Sequence, residues 1–251
     1  DGFLTNWNNK PAAGWTSGES QSQGGLPGDR GGVIRKYIKD ALAKGKISPS
    51  KLQEIDRMIG QSESRARVLL QPLLGALKQA RLTPEQRAAM RLLSQWNGQA
   101  GGPGSGEVIS AGSDTDGPAP TLFDAYVTAL RRRVAEPLST TLFDQLTHIE
   151  NHKYNMTRLD ELALRVVDPK VTALSMGHDW TRGAGSAVLQ RAAFGEAIAS
   201  MKTAFKSDDQ TRWRRSHPTT ALKTLTGVIG PPTIQMRYED RGSWIQMVFF
   251  K

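Results

Sequence analysis

The sequence predicts an α+β fold, and three observations lead there. Apolar runs with strand character stand near both ends, over residues 2–8 and 244–250. Between them, apolar residues recur at the three- and four-residue spacing of amphipathic helices. Strands and helices are segregated rather than alternating, which separates this pattern from βαβ architectures. The 251 residues suffice for one large or two small domains with a sizeable core.

Taken in order, Phe3 and Leu4 lead into Asn6-Trp7-Asn8-Asn9, three asparagines around one tryptophan. Lys10-Pro11 ends the strand, because proline has no N–H for a ladder. Read alone, this is a strand followed by an Asx-rich turn. Neutral amide donors at a strand end also suit a site where an oxyanion develops. Residues 12–28 are rich in Gly, Ser and Gln and read as an irregular loop. Asp29 is a candidate N-cap, its carboxylate matched to the positive end of the helix dipole. Val33, Ile34, Tyr37, Ile38, Ala41 and Leu42 then give a helical stripe, and Gly45 a stop.

Ser48-Pro49 is an N-cap followed by proline at the first helical position, and Leu52, Ile55, Met58 and Ile59 follow as its stripe. Leu69, Leu70, Leu73, Leu74 and Leu77 make a third helix, with Pro72 expected to kink or split it. Thr83-Pro84-Glu85-Gln86 is a capping box opening a fourth. Trp96-Asn97-Gly98 is the turn that ends it. Residues 99–120, dominated by Gly, Ser, Asp and Pro, read as a connector. Asp114-Thr115-Asp116-Gly117 lacks the glutamate and spacing of an EF-hand, so no metal is assigned to it.

Leu122 to Val134 form another amphipathic helix, whose end carries Arg131-Arg132-Arg133; three cations there complement the helix dipole. His148 and His152 share a helix face, but the glutamate is misplaced for a zinc hydrolase and no third ligand is evident. Thr157 to Asp160 is a further capped start, and Gly183 and Gly185 bracket the entry to a long helix ending near Phe205. Trp213 lies among Arg212, Arg214 and Arg215, a composition that could stack on a nucleobase. Arg241-Gly242-Ser243 precedes the apolar run that ends the chain; an exposed strand of that kind is an odd terminus, and more protein is expected to follow.

Composition narrows the classes. Hydrophobic residues make up 38% and charged residues 23%, with no apolar run of about 18 residues that could cross a membrane. Zero cysteines exclude disulfides, thiolate metal sites and a cysteine nucleophile. No basic-then-apolar leader stands at Asp1 and no initiator methionine is present, so a processed or trimmed piece is expected. The net charge of +9 is spread along the chain, which reads as a solvated basic surface with acidic counterparts on other polypeptide. Two readings without chemistry stay open: a basic helical nucleic-acid binder using Arg131 to Arg133 and Arg212 to Arg215, and an interaction module.

The run Gly2-Phe3-Leu4-Thr5-Asn6-Trp7-Asn8-Asn9-Lys10-Pro11 resembles the Gly-aromatic-x-x-Asn-Trp-Asn-Asn-x-Pro signature of the penicillin acylase family of N-terminal-nucleophile amidohydrolases, and Asp29-Arg30 matches the Asp-Arg pair that follows it. Trp96-Asn97-Gly98 stands where members carry Trp-Asp-Gly, and Gly242-Ser243-Trp244 where they carry a Gly-Ser-aromatic strand. The resemblance implies an internal fragment of the β subunit. Residues 1–32 would be a strand and active-site loop, 33–215 a mostly helical region, and 216–251 a return to the core sheet of a four-layer αββα sandwich. It implies an oxyanion-hole role for Asn8 and an organising role for Arg30.

The family nucleophile is an N-terminal serine whose own α-amino group serves as base, a device that activates a weak nucleophile without a histidine. Asp1 cannot do that job, so the nucleophile is expected upstream and this chain alone is expected to be inactive. The implied substrate is a small linear amide, such as the acyl side chain of a penicillin, an acyl-homoserine lactone or a lipopeptide. The implied partners are the α subunit and the N-terminal part of the β subunit of one autoprocessed precursor, with no membrane and no nucleic acid. The implied setting is periplasmic or secreted and bacterial. No cofactor is required; some members bind a structural calcium, and Glu19 is the one carboxylate between Asp1 and Asp29, a poor local match that assigns no metal here.

Overall fold

Local start and stop signals set the helix ends in a computed structural model, which describes residues 3, 30–99, 117–136, 138, 141, 158–168, 177–215, 219–223 and 233–237. Helix α1 (Arg30–Leu42) closes in a turn where Gly45, at φ +126°, donates its N–H to Leu42 O at 3.1 Å. Helix α2 (Pro49–Gln61) opens as its sequence requires: Ser48 Oγ accepts from Lys51 N at 3.2 Å, and Pro49 occupies a position whose N–H would be unused. The capping box of α4 (Pro84–Ser94) is complete, with Gln86 N donating to Thr83 Oγ1 at 3.1 Å and Thr83 N to Gln86 Oε1 at 3.0 Å.

Two elements differ from expectation. Pro72 does not split its helix: α3 (Ala66–Lys78) is one element. Proline there removes a single ladder bond, at a cost of about 3 kcal/mol. Seven residues of α3 are buried, five of them leucines, and each buried leucine contributes about 1.5–3 kcal/mol. Burial therefore outweighs the local penalty. The second difference is that α5 (Pro118–Ala135) begins inside the stretch expected to be connector. Pro118 and Pro120 lie in the first turn, where a missing N–H costs nothing, and Thr121 Oγ1 donates to Gly117 O at 2.8 Å.

Helices α6 (Arg158–Val167) and α7 (Ser186–Phe205) complete the helical body. Gly185, at φ +79°, supplies the left-handed entry to α7. A 3-10 turn (Gln210–Arg212) and an antiparallel pair, β1 (Thr219–Lys223) and β2 (Thr233–Arg237), follow; Ala221 stands opposite Gln235. This pair is the sheet among the described residues. The strands expected over 2–8 and 244–250, and so the sandwich itself, lie outside them, apart from half-buried Phe3.

The core is built where α5 and α7 pack on each other, flanked by α3 and α6. Phe123, Tyr126, Leu130 and Phe194 are fully buried at this contact, and Trp96 stands 5.2 Å from Phe123, ring centre to ring centre. Trp213 belongs to the same core: its ring is fully buried and its Nε1 donates to Ser207 O at 3.0 Å. The nucleobase-stacking reading of that tryptophan is therefore corrected, because no face of the ring reaches solvent. By contrast α1 and α2 pack chiefly on each other, and their buried residues Val33, Ala41 and Ile55 stand apart from the core cluster.

Candidate functional site

Arg30 is the first residue of α1, so its position depends on how that helix is held. Val33 and Ala41 are buried at 7% and 8% exposure, and Tyr37 lies between them, half-buried. Positions 33, 37 and 41 follow the spacing of one helical stripe, the stripe turned toward protein, and position 30 falls in register with it along the backbone. Beside the first turn, Arg67 from α3 lies over Gly32, so close that a methyl group there would fall 1.6 Å from Arg67 Nη1. Burial and the neighbouring Arg35 charge hold the Arg67 guanidinium below its ordinary range.

Tyr37 is the polar point of the stripe. Ser62 Oγ donates to Met58 O at 2.8 Å, which uses its one proton, so the Tyr37 hydroxyl donates to Ser62 Oγ at 3.0 Å. Gln99 Nε2 then donates to Ser62 Oγ at 3.0 Å and to Tyr37 Oη. Gln99 is itself fixed by the turn before it. Its N–H donates to Asn97 Oδ1 at 3.0 Å, its carbonyl accepts from Trp96 Nε1 at 2.7 Å, and Gly98 adopts φ +81°. An aspartate at position 97 would accept the same bond, so the asparagine leaves the turn intact. Glu63 N–H donates to Gly98 O at 2.8 Å, joining the turn to the start of α3.

From there a chain of buried charge runs into the body. Arg65 is fully buried; its Nε donates to Glu63 Oε1 and its Nη2 to Glu63 Oε2 and Asp124 Oδ1, each at 2.8 Å. Arg215 reaches the other oxygen of Asp124. Arg131 grips buried Asp160 through both nitrogens of its fork. Burial works against both charges of the Arg65–Asp124 pair. The surrounding carboxylates, Glu63 foremost, nevertheless raise Arg65 well above its usual range, while Arg65 and Arg215 bring the Asp124 carboxyl down to about 2. Burial also pushes the Tyr126 phenol up. These shifts favour charged Arg65, charged Asp124 and neutral Tyr126, as suits a scaffold.

Two hollows open on the body, away from α1. One, about 350 Å³, is lined by residues of α5 and α7, including Arg132, Ser200 and Phe205; the other, about 510 Å³, includes Arg81 and Arg191.

The sequence matches the model of the penicillin amidase family over residues 1–243. The chain belongs to that family. In fold it is similar to the thermostable penicillin G acylase from Alcaligenes faecalis in its orthorhombic form, with a TM-score of 0.70 and 18% identity over 93% of this chain. The match covers 43% of that acylase chain, so this chain spans under half its length.

Of the two residues expected in a penicillin amidase site, Arg30 opens α1, while Asn8 lies outside the described residues though within the family match. Among the described residues, no group of three or more His, Asp or Glu side chains comes together to hold a metal, and no helix is long and apolar enough to cross a membrane. Glu19, Asp114, Asp116, His148 and His152 lie outside the described residues. Sequence reasoning placed Tyr37 in an apolar stripe and missed Gln99, Arg65 and Asp124. The one available signal for Tyr37 was its seven-residue distance from Arg30.

Proposed function

We propose that this chain is the part of a penicillin-amidase precursor that supplies the oxyanion donor and its supporting arginine for hydrolysis of a linear amide. The N-terminal serine of the β subunit attacks the amide carbon, its α-amino group taking the hydroxyl proton. The oxygen that becomes negative accepts a hydrogen bond from the Asn8 side-chain amide. Collapse expels the amine, which leaves with that proton, and water then hydrolyses the acyl-enzyme ester by the same route in reverse. Arg30 orders the surroundings by charge-assisted hydrogen bonds. The α subunit and the N-terminal part of the β subunit complete the pocket, in a compartment outside the bacterial cytoplasm.

The observation that supports this reading is the family match over residues 1–243, which contains both the Asn6-Trp7-Asn8-Asn9 run and the Asp29-Arg30 pair. The nucleic-acid alternative loses support, because Arg131, Arg133 and Arg215 are committed to Asp160, Glu196 and Asp124, and Trp213 is buried. The test is a panel of N-acyl amides, including a penicillin, an acyl-homoserine lactone and a lipopeptide, given to the complete protein. Equimolar acid and amine from at least one member are expected, with a burst of amine where deacylation limits. Intact amides throughout the panel would overturn the proposal.

A further inference from the structure

Beyond Arg67 over Gly32, the helix that begins with Arg30 packs lightly. Its exposed face carries Arg35, Lys36, Lys39 and Asp40, and its packing is chiefly against α2 rather than the core. Position 37 lies two turns along from position 30, about 10 Å by the helical rise and within about 20° of the same face. Whatever fixes the rotation and slide of α1 at position 37 therefore fixes them at position 30. Val33 and Ala41 cannot do this alone, since apolar contacts are non-directional. The Tyr37 hydroxyl can: it donates to Ser62 Oγ and accepts from Gln99 Nε2, and both partners are pinned, Ser62 by Met58 O and Gln99 by the Trp96 turn.

We propose that Tyr37, latched by Ser62 and Gln99, is a positioning residue that sets where Arg30 stands in the active site. This rests on the reading that Arg30 organises that site. A helix rotation of about 20° carries a side chain at a radius of about 6 Å through roughly 2 Å. Displacements of 1 Å can cost a catalytic arrangement up to about 100-fold. Phenylalanine keeps the ring and loses only the two hydrogen bonds.

The experiment is a double-mutant cycle on Tyr37→Phe and Arg30→Ala in the complete processed protein, reading kcat and KM on a hydrolysed amide alongside the thermal midpoint. Tyr37→Phe is expected to lower kcat about tenfold with little change in KM. In the Arg30→Ala background the same change should have no further effect on kcat. A merely structural tyrosine would shift the thermal midpoint and leave kcat alone, or lower kcat by the same factor in both backgrounds; either result overturns the inference. If Arg30→Ala lowers kcat and Tyr37→Phe does not, the latch fails and the role of Arg30 stands. If Arg30→Ala leaves kcat unchanged, the role of Arg30 fails and takes the latch with it.

Discussion

The α1–α2 arm and the α3–α7 body are held by different forces. In the body, Leu69, Leu73, Phe123, Tyr126, Leu130 and Phe194 are essentially inaccessible to solvent, and buried Arg65 and Asp160 are paired with Glu63, Asp124 and Arg131. In the arm, Leu42 is 39% exposed, Lys36 and Asp40 pair in open solvent, and the contacts to the body include the Tyr37–Ser62–Gln99 hydrogen bonds and Arg67 lying over Gly32. Burial contributes stability without caring about direction. Hydrogen bonds contribute less energy and fix direction. On the proposed role of Arg30, the helix that carries it needs the second kind of constraint more than the first.

The sharpest way to break this contrast is Arg65→Leu. Removing the guanidinium takes the Arg65 partner from buried Glu63 and strips Asp124 of one of its two arginines. The expected loss is about 3–5 kcal/mol of unfolding free energy, read by denaturant titration. A loss under about 1 kcal/mol would mean that the charge cluster contributes nothing to the body.

A smaller effect comes from acid. The Asp124 carboxyl is 16% exposed and its pKa falls from 3.8 to about 2 on folding. A depressed carboxylate stabilises the fold above its unfolded value and loses that contribution as pH drops through the folded one. Roughly 2 kcal/mol should therefore disappear between about pH 4 and pH 2, and Asp124→Asn should flatten that part of the stability profile. An unchanged slope in the variant would contradict the assignment.

The smallest stability effect belongs to Tyr37→Phe, about 1 kcal/mol for a partly buried hydrogen-bonded hydroxyl. The contrast is sharpened if this variant, nearly neutral to denaturant, is the one that changes turnover.

What the sequence revealed follows the same division. Caps are local, so Ser48, Thr83, Gly45, Gly98 and Gly185 announced their turns through chemistry acting within a few residues. The stripes of α3 and α7 were legible for the same reason. The Arg65–Asp124 pair was not, because its partners are 59 residues apart and no spacing rule joins them. Pro72 did not split its helix because the local penalty is outweighed by the seven buried residues of α3. The stacking that Trp213 could have offered fell away because its arginine neighbours say nothing about the ring, which is buried in the core. Position 30 on a helix was legible; the latch seven residues on required tertiary structure.

The proposed function rests on the amide of Asn8 meeting the charge that develops on the carbonyl oxygen. The direct measurement is kcat of Asn8→Ala in the complete processed protein, with far-ultraviolet circular dichroism confirming the fold. Loss of one such donor predicts a fall of about 100- to 1,000-fold with the spectrum unchanged. Turnover close to the parent value in a folded variant would contradict it.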